Sequence, residues 1–190
     1  MEEFFKNKFR VASTRLEVWN YGWPGLYFVT ICTKNRECCL GKINNGEVCM
    51  SQIGEIVAEE LFKTSKLRSC VKLDDFIIMP NHLHVIFAIE DKDFDAFGRD
   101  TAHHVSTERK FGAAQPKSLS SIVASFKSAV TNHCHKNNLD FFWQSNFYEH
   151  IIRDEDDYAR IKAYIANNTS NWSNDRNNPL NSNYEKRNLS

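Results

Sequence analysis

The sequence lacks several features that would place it in other classes of protein. It contains no run of 18 apolar residues, which excludes an ordinary membrane-spanning helix. Its N-terminus has none of the apolar stretch of a signal peptide. It also has no glycine-rich loop for phosphate, no Ser/His/Asp arrangement and no zinc-type ligand spacing. We therefore expect a cytoplasmic protein with no membrane partner, whose chemistry has to come from other residues.

Paired cysteines and a surplus of charge of one sign are also missing. The six cysteines include no Cys-x-x-Cys pair, so we expect reduced and mostly buried thiols. The net charge is zero, although nucleic-acid binders are often basic. Residues 105–138 nevertheless carry five basic side chains and one acidic one. The sequence therefore leaves open whether this neutral protein has a basic face.

The composition supports one folded domain with tails. Of 190 residues, 42% are hydrophobic and 13% aromatic, which is enough for a real core. Residues 91–117 show no clear period, and we predict a long loop insertion there within a single domain over residues 1–172. Residues 173–190 are polar and rich in asparagine, so we predict a disordered tail.

Local periodicity predicts strands and helices in a definite order. The order is a strand at 26–33, a hairpin at 41–50, a helix after Ser51, strands at 73–79 and 82–89, a helix after Ser118, an extended segment at 141–148, and a helix after Asp154. A mainly antiparallel sheet with helices on one face satisfies this order, which makes the predicted fold class α+β.

The most informative stretch is Met-Pro-Asn-His-Leu-His-Val-Ile-Phe at residues 79–87. His82 and His84 flank one apolar residue at the start of a β-branched and aromatic run, which is a strand pattern. Side chains alternate along a strand, so both imidazoles point the same way. Two imidazoles on one strand can hold a divalent ion and leave positions open for substrate oxygen. The alternative is a pair of histidines on a solvated face of the sheet.

Three tyrosines lie near the C-terminal end. Tyr148 lies in the extended segment, and Tyr158 shares the inward stripe of the final helix, where a core aromatic is the better interpretation. Tyr164 lies roughly 60° from Ile161 around that helix and has Asn168 one turn further on. A phenol and an amide presented together suit a metal site that needs an oxygen ligand. The alternative for Tyr164 is an ordinary aromatic of an amphipathic helix.

The histidine stretch resembles the HUH motif of the single-tyrosine transposases of small insertion sequences, and most closely that of their REP-associated relatives. The resemblance runs from about Phe9 to Trp172. The other segments that carry it are residues 27–36, 143–147, 150–153 and 164–168.

The resemblance implies a ferredoxin-like fold and a specific chemistry. It implies a metal-dependent transposase that binds single-stranded DNA with hairpin or palindromic ends. Such an enzyme cleaves and rejoins the strand through a covalent 5′-phosphotyrosine. Tyr164 would be the nucleophile, and His82, His84 and Asn168 would hold Mg²⁺ or Mn²⁺.

Three basic residues are candidate DNA contacts: Lys127, Arg36 and Lys34. Lys127 projects from the polar face of the helix after Ser118, where a solvated lysine is an equally good interpretation. Arg36 could supply charge for single-stranded DNA.

The sequence leaves two alternative functions and two possible oligomeric states. The chain could be a catalytically inactive or domesticated ferredoxin-like nucleic-acid-binding protein, or a small metallohydrolase that does not require Tyr164. In insertion-sequence members of the family, the tyrosine helix of one subunit completes the histidine site of the other, whereas some REP-associated relatives act as monomers. We favour a homodimer, with the 141–148 segment offering an edge for pairing.

Overall fold

The computed structural model describes residues 24–90 and 118–181. The loop predicted at 91–117 and the end of the tail at 182–190 lie outside the described residues. Within them, the elements are β1 (Gly25–Cys32), β2 (Gly41–Asn44), β3 (Glu47–Met50), α1 (Gln52–Leu67), β4 (Val71–Met79), β5 (His82–Ile89), α2 (Leu119–Lys136), β6 (Tyr148–Ile152) and α3 (Glu155–Ala166). Short 3₁₀ turns follow β1, at Lys34–Arg36, and α3, at Trp172–Asn174.

Four strands form one antiparallel sheet in the order β4-β5-β1-β6. Between β1 and β4 the chain forms the small β2-β3 hairpin and then α1. Helix α2 lies between β5 and β6. Without the hairpin, the chain order is the β-α-β-β-α-β order of ferredoxin-like folds. The prediction of a ferredoxin-like α+β fold with an antiparallel sheet is confirmed.

The sheet is apolar on both faces, and each face has its own core. The larger core packs α1 and α2 against one face, and its sheet residues are Tyr27, Val29, Ile31, Leu83, Val85 and Phe87. The smaller core packs Ile161 and Ile165 of α3 against Phe28, Ile86 and Ile152. Two helices therefore share a face, as expected, but α3 lies on the opposite face. This corrects the expectation that all helices lie together, because a sheet with apolar residues on both sides needs cover on both sides.

The local signals for helix starts and for the hairpin turn are borne out in detail. The side chains of Ser51, Ser118 and Asp154 each accept a hydrogen bond from the backbone N–H three residues on, at 3.2, 3.3 and 2.8 Å. In the hairpin turn, Asn45 and Gly46 have φ angles of 51° and 81°. Two positive φ angles define the type I′ turn that Asn-Gly favours.

The tail prediction is wrong for residues 173–181. Asn177 and Asn178 are 2% and 5% exposed. The carbonyl of Asn177 accepts a hydrogen bond from Asn81, and Asn178 Nδ2 donates to the Trp172 carbonyl at 2.9 Å. The segment packs through amide hydrogen bonds, which a count of apolar residues does not detect.

The cysteine prediction is half correct. All six thiols are free, but Cys134 alone is fully buried, and Cys38 and Cys49 are exposed. Cys49 lies on the β2-β3 hairpin, which stands apart from the four-stranded sheet, so it has no large core to enter. Among the described residues, no helix has both the length and the apolar character needed to cross a membrane.

Candidate metal and nucleophile site

The two histidines of β5 converge on the α3 side of the sheet. His82 lies opposite Cys32 of β1, and His84 lies opposite Thr30. Their Nε2 atoms are 3.1 Å apart, and the residues are 0% and 1% exposed. The predicted common orientation is confirmed, and the alternative of a solvated histidine pair is excluded by the burial.

The outer ring nitrogens of both histidines are held by neighbours. His82 Nδ1 lies 2.8 Å from Asn81 Oδ1, and His84 Nδ1 lies 2.8 Å from Thr30 Oγ1. These contacts fix the ring planes and leave the two Nε2 atoms facing the centre of the site. Outer partners of this kind orient histidines that bind metals.

Both histidines are held neutral at physiological pH. Burial lowers the pKa of His84 to about 3, helped by the charge of Arg176. Burial also lowers the pKa of His82 well below its usual value, and the neighbouring His84 and the Arg36 and Arg176 charges add to this. Neutral imidazole is the form that binds a metal ion.

Tyr164 stands over the histidine pair. Its hydroxyl lies 3.2 Å from His84 Nε2, and its ring meets the His84 ring edge-on, with centroids 5.1 Å apart. The neighbouring Ile161 and Ile165 point into the smaller core, which leaves Tyr164 44% exposed at the site. Burial raises the pKa of Tyr164, while a hydrogen bond with Asn168 acts in the opposite direction. The side chain is therefore a protonated phenol at neutral pH.

The competing tyrosines do not reach the histidines. Tyr158 packs against the smaller core, as predicted, and Tyr148 is 46% exposed on β6. Tyr164 is the one of the three whose hydroxyl hydrogen-bonds a histidine.

Two oxygen donors are candidates to join the histidines in a metal site. Asn168 is 3% exposed, and its Oδ1 is buried without a hydrogen-bond partner. Buried acceptors are rarely left unpaired, so this oxygen is suited to bind a cation. A carboxylate oxygen of Asp175 lies 4.0 Å from His82 Nε2, and the ligand atoms of Asp175 and both histidines lie within 4.8 Å of one another. Two neutral nitrogens, one amide oxygen and one carboxylate form a donor set for a divalent ion.

Sequence reasoning missed Asp175 because it lies in the segment expected to be disordered. One signal was available, since Asp175 is the one acidic residue between positions 158 and 184. Trp172 supplies an apolar anchor just before it, and the Trp172 ring lies 6.1 Å from that of His82.

The three predicted DNA contacts lie at the margin of this site. Lys127 Nζ donates to the carbonyls of Gln144 and Ser145 at 2.6 and 2.9 Å, and burial lowers its pKa. Lys34 lies over the ring of Phe142, with Nζ 5.1 Å from the centroid. Both lysines thus fasten the segment before β6, and their contact with DNA stays a prediction.

Arg36 lies closer to the histidines. Its guanidinium donates to Asn177 Oδ1 at 2.5 Å and to the Arg176 carbonyl at 3.3 Å. It therefore holds the segment that carries Asp175, and its predicted role toward DNA is likewise untested.

A cavity of about 870 Å³ opens beside Tyr164. It runs between β6, α3 and the segment after α3. Its polar lining includes Tyr148, His150, Arg160, Asn171 and Arg176. His84, Tyr164 and Asn168 also line it, so a ligand in the cavity has direct access to Tyr164.

Comparisons with known proteins agree with this architecture. No protein-family model matches the chain. An uncharacterized protein of Haemophilus influenzae is 38% identical over 165 residues, which cover 86% of this chain and 91% of that protein. A solved structure of a REP-associated tyrosine transposase bound to a REP hairpin matches with a TM-score of 0.55 and 20% identity, over 84% of this chain and 73% of that one.

The second match rests on structure and not on sequence identity, so it establishes the fold. It confirms at that level the resemblance predicted from the motifs. The chain belongs to the same family as the Haemophilus influenzae protein, and its fold is that of the REP-associated tyrosine transposases.

Proposed function

We propose that the chain is a metal-dependent transposase that binds hairpin-containing single-stranded DNA and cleaves and rejoins it through a covalent 5′-phosphotyrosine. The observation that carries this proposal is the hydroxyl of Tyr164, 3.2 Å from His84 Nε2 in the same chain. The solved relative in fold is a tyrosine transposase bound to a hairpin, which supports the same substrate class here.

Cleavage transfers the phosphoryl group from the 3′ oxygen of the DNA to the Tyr164 oxygen. The Tyr164 oxygen attacks the phosphorus, and the bond from phosphorus to the 3′ oxygen breaks. Because the hydroxyl faces an open cavity, its proton passes to water, and the leaving 3′ oxygen takes up a proton. The products are a 3′-hydroxyl and a phosphotyrosine. Attack by a 3′-hydroxyl on the phosphotyrosine reverses the step, so rejoining needs no ATP.

The chain's own residues prepare this reaction. Asn168 and Asp175 would join His82 and His84 in holding the divalent ion. When bound, such an ion polarises the scissile phosphate and offsets charge on its oxygens. Helix α3 fixes Tyr164 beside the histidines because Ile161 and Ile165 anchor its other face. This arrangement holds the nucleophile close to the phosphate before reaction.

Replacing Tyr164 by Phe tests the proposal. We expect loss of covalent capture, because the hydroxyl is gone, and unchanged DNA binding, because the ring and its packing remain. The protein is incubated with labelled hairpin oligonucleotides and Mn²⁺ and run on a denaturing gel. Tyr158→Phe is the matched control on the same helix, and it should keep the covalent band.

A covalent band that persists in Tyr164→Phe would contradict the assignment. A wild-type protein that binds hairpins in a native gel but forms no covalent band would instead favour the inactive nucleic-acid-binding alternative.

A further inference from the structure

Asn81, the residue before β5, is fully buried, and its side-chain amide makes three hydrogen bonds. Its Nδ2 lies 2.9 Å from the Arg36 carbonyl oxygen and 2.7 Å from the Asn177 carbonyl oxygen. Carbonyl oxygens only accept hydrogen bonds, so the amide nitrogen has to face them. The amide oxygen must then be the atom that lies 2.8 Å from His82 Nδ1.

This orientation determines where His82 carries its proton. An amide oxygen cannot donate, so His82 Nδ1 has to carry the hydrogen. A neutral ring with a hydrogen on Nδ1 has its lone pair on Nε2, the atom that faces His84 and Asp175. We propose that Asn81 is a positioning residue that locks His82 in the Nδ1–H tautomer and so keeps Nε2 ready for the divalent ion. This inference rests on the proposed metal site.

The partner of His84 is of a different kind. Thr30 Oγ1 lies 2.8 Å from His84 Nδ1, and a hydroxyl can either donate or accept. His84 is therefore free to take either tautomer. In metal-free buffer the two Nε2 atoms, 3.1 Å apart, need one hydrogen between them, because two lone pairs at that distance repel. His82 has to be the acceptor, so His84 supplies the hydrogen from Nε2, and the Tyr164 hydroxyl oxygen, 3.2 Å from that nitrogen, is then a second acceptor.

Ion binding should then change one histidine and not the other. The hydrogen of His84 moves from Nε2 to Nδ1, and the Thr30 hydroxyl turns from donor to acceptor. His82 keeps its tautomer throughout. The asymmetry follows from the chemistry of the two outer partners. The Asn81 amide is hydrogen-bonded through both its nitrogen and its oxygen, whereas the Thr30 hydroxyl can rotate.

Long-range ¹⁵N–¹H NMR of the full chain labelled at histidine reads these tautomers directly. The His82→Gln and His84→Gln proteins assign the two buried rings. Without metal, we expect Nδ1–H at His82 and Nε2–H at His84, and with saturating Mg²⁺ we expect Nδ1–H at both. A metal-free His82 in the Nε2–H form would overturn the proposal. That arm uses neither DNA nor metal, so it stands apart from the test of the proposed function.

Replacing Asn81 separates tautomer control from general packing. In Asn81→Ala we expect His82 to populate both tautomers and the Kd for Mn²⁺ to rise by about 10- to 100-fold. Asn178→Ala is the matched control, since that buried amide binds the Trp172 carbonyl and no histidine. Equal losses of affinity in the two variants would overturn the proposal. If Asn81→Ala fails to fold, the tautomer of wild-type His82 decides alone.

Discussion

The charge of Asp175 is expected to set how tightly the histidine pair holds a cation. Its Oδ1 also accepts a hydrogen bond from the Asn177 backbone at 2.6 Å. Asp175→Asn keeps an oxygen for that bond but removes the charge. We therefore expect the Kd for Mn²⁺ to rise about tenfold or more while the unfolding temperature stays the same.

Calorimetric titration of Mn²⁺ measures the change in affinity. Asp140→Asn removes the same charge from an exposed site and serves as the control. Equal affinity in Asp175→Asn and wild type would remove Asp175 from the ligand set.

The buried histidines predict how stability depends on pH without metal. The pKa of His84 is lowered to about 3 and that of His82 lies well below its usual value, mainly because burial penalises the charged rings. In the unfolded chain both titrate near about 6.5. Below that pH the unfolded state binds protons that the folded state does not, so the free energy of unfolding falls as pH falls.

Urea unfolding between pH 7 and 5 in a chelating buffer measures this slope. Each histidine contributes up to roughly 1.4 kcal/mol per pH unit below 6.5. We expect a flatter profile in the His82→Gln/His84→Gln protein. A double variant with the wild-type slope would refute the prediction.

Local periodicity is what made some residues of the site predictable. The two-residue repeat of a strand puts His82 and His84 on one face, and one turn of a helix separates Tyr164 from Asn168. The roles proposed for these residues come from the family resemblance. Asp175 lies in a segment with no such repeat. Its approach to His82 depends on contacts between residues far apart in the chain, which no local pattern encodes.

At the scale of elements, the glycine at position 54 is explained by how closely α1 approaches the backbone just before β2. A Cβ at Gly54 would lie 2.1 Å from the Leu40 carbonyl oxygen, a backbone atom that cannot move alone. In an exposed helix, Gly→Ala stabilises by about 1 kcal/mol. Here we expect the opposite sign, a loss of at least about 1 kcal/mol, because α1 has to shift.

Chemical denaturation of Gly54→Ala gives the sign directly. Lys66→Ala, an exposed change in the last turn of α1, should stay within about 0.5 kcal/mol of wild type. A Gly54→Ala protein more stable than wild type would show that the helix tolerates the added methyl group.

Most element boundaries could be predicted, but the position of α3 could not. Caps and apolar periods indicate where a helix begins and which of its sides is buried. They do not say which face of the sheet the helix covers. That choice depends on the two-sided apolar character of β1 and β5, which is a property of the assembled sheet.

At the scale of the molecule, one chain brings together every proposed group of the site. We therefore expect no rescue when a His82→Ala/His84→Ala protein is mixed with a Tyr164→Phe protein. The two are co-expressed with different tags so that any subunits can exchange, and cleavage of a hairpin oligonucleotide is measured. Restored cleavage would place the sites across subunits, as the resemblance to insertion-sequence members of the family implies. Dimerisation through the 141–148 segment stays a separate prediction.

Helix α3 covers one face of the sheet, and it is synthesised after every strand of that sheet. The ribosome completes every strand of the sheet by Ile152, and with them all residues of the larger core, before it reaches Tyr164 and Asp175. A nascent chain therefore contains every strand and both histidines before it contains the proposed nucleophile. A message cut short after β6 would yield a protein that has the histidine pair and cannot form a bond to DNA through Tyr164.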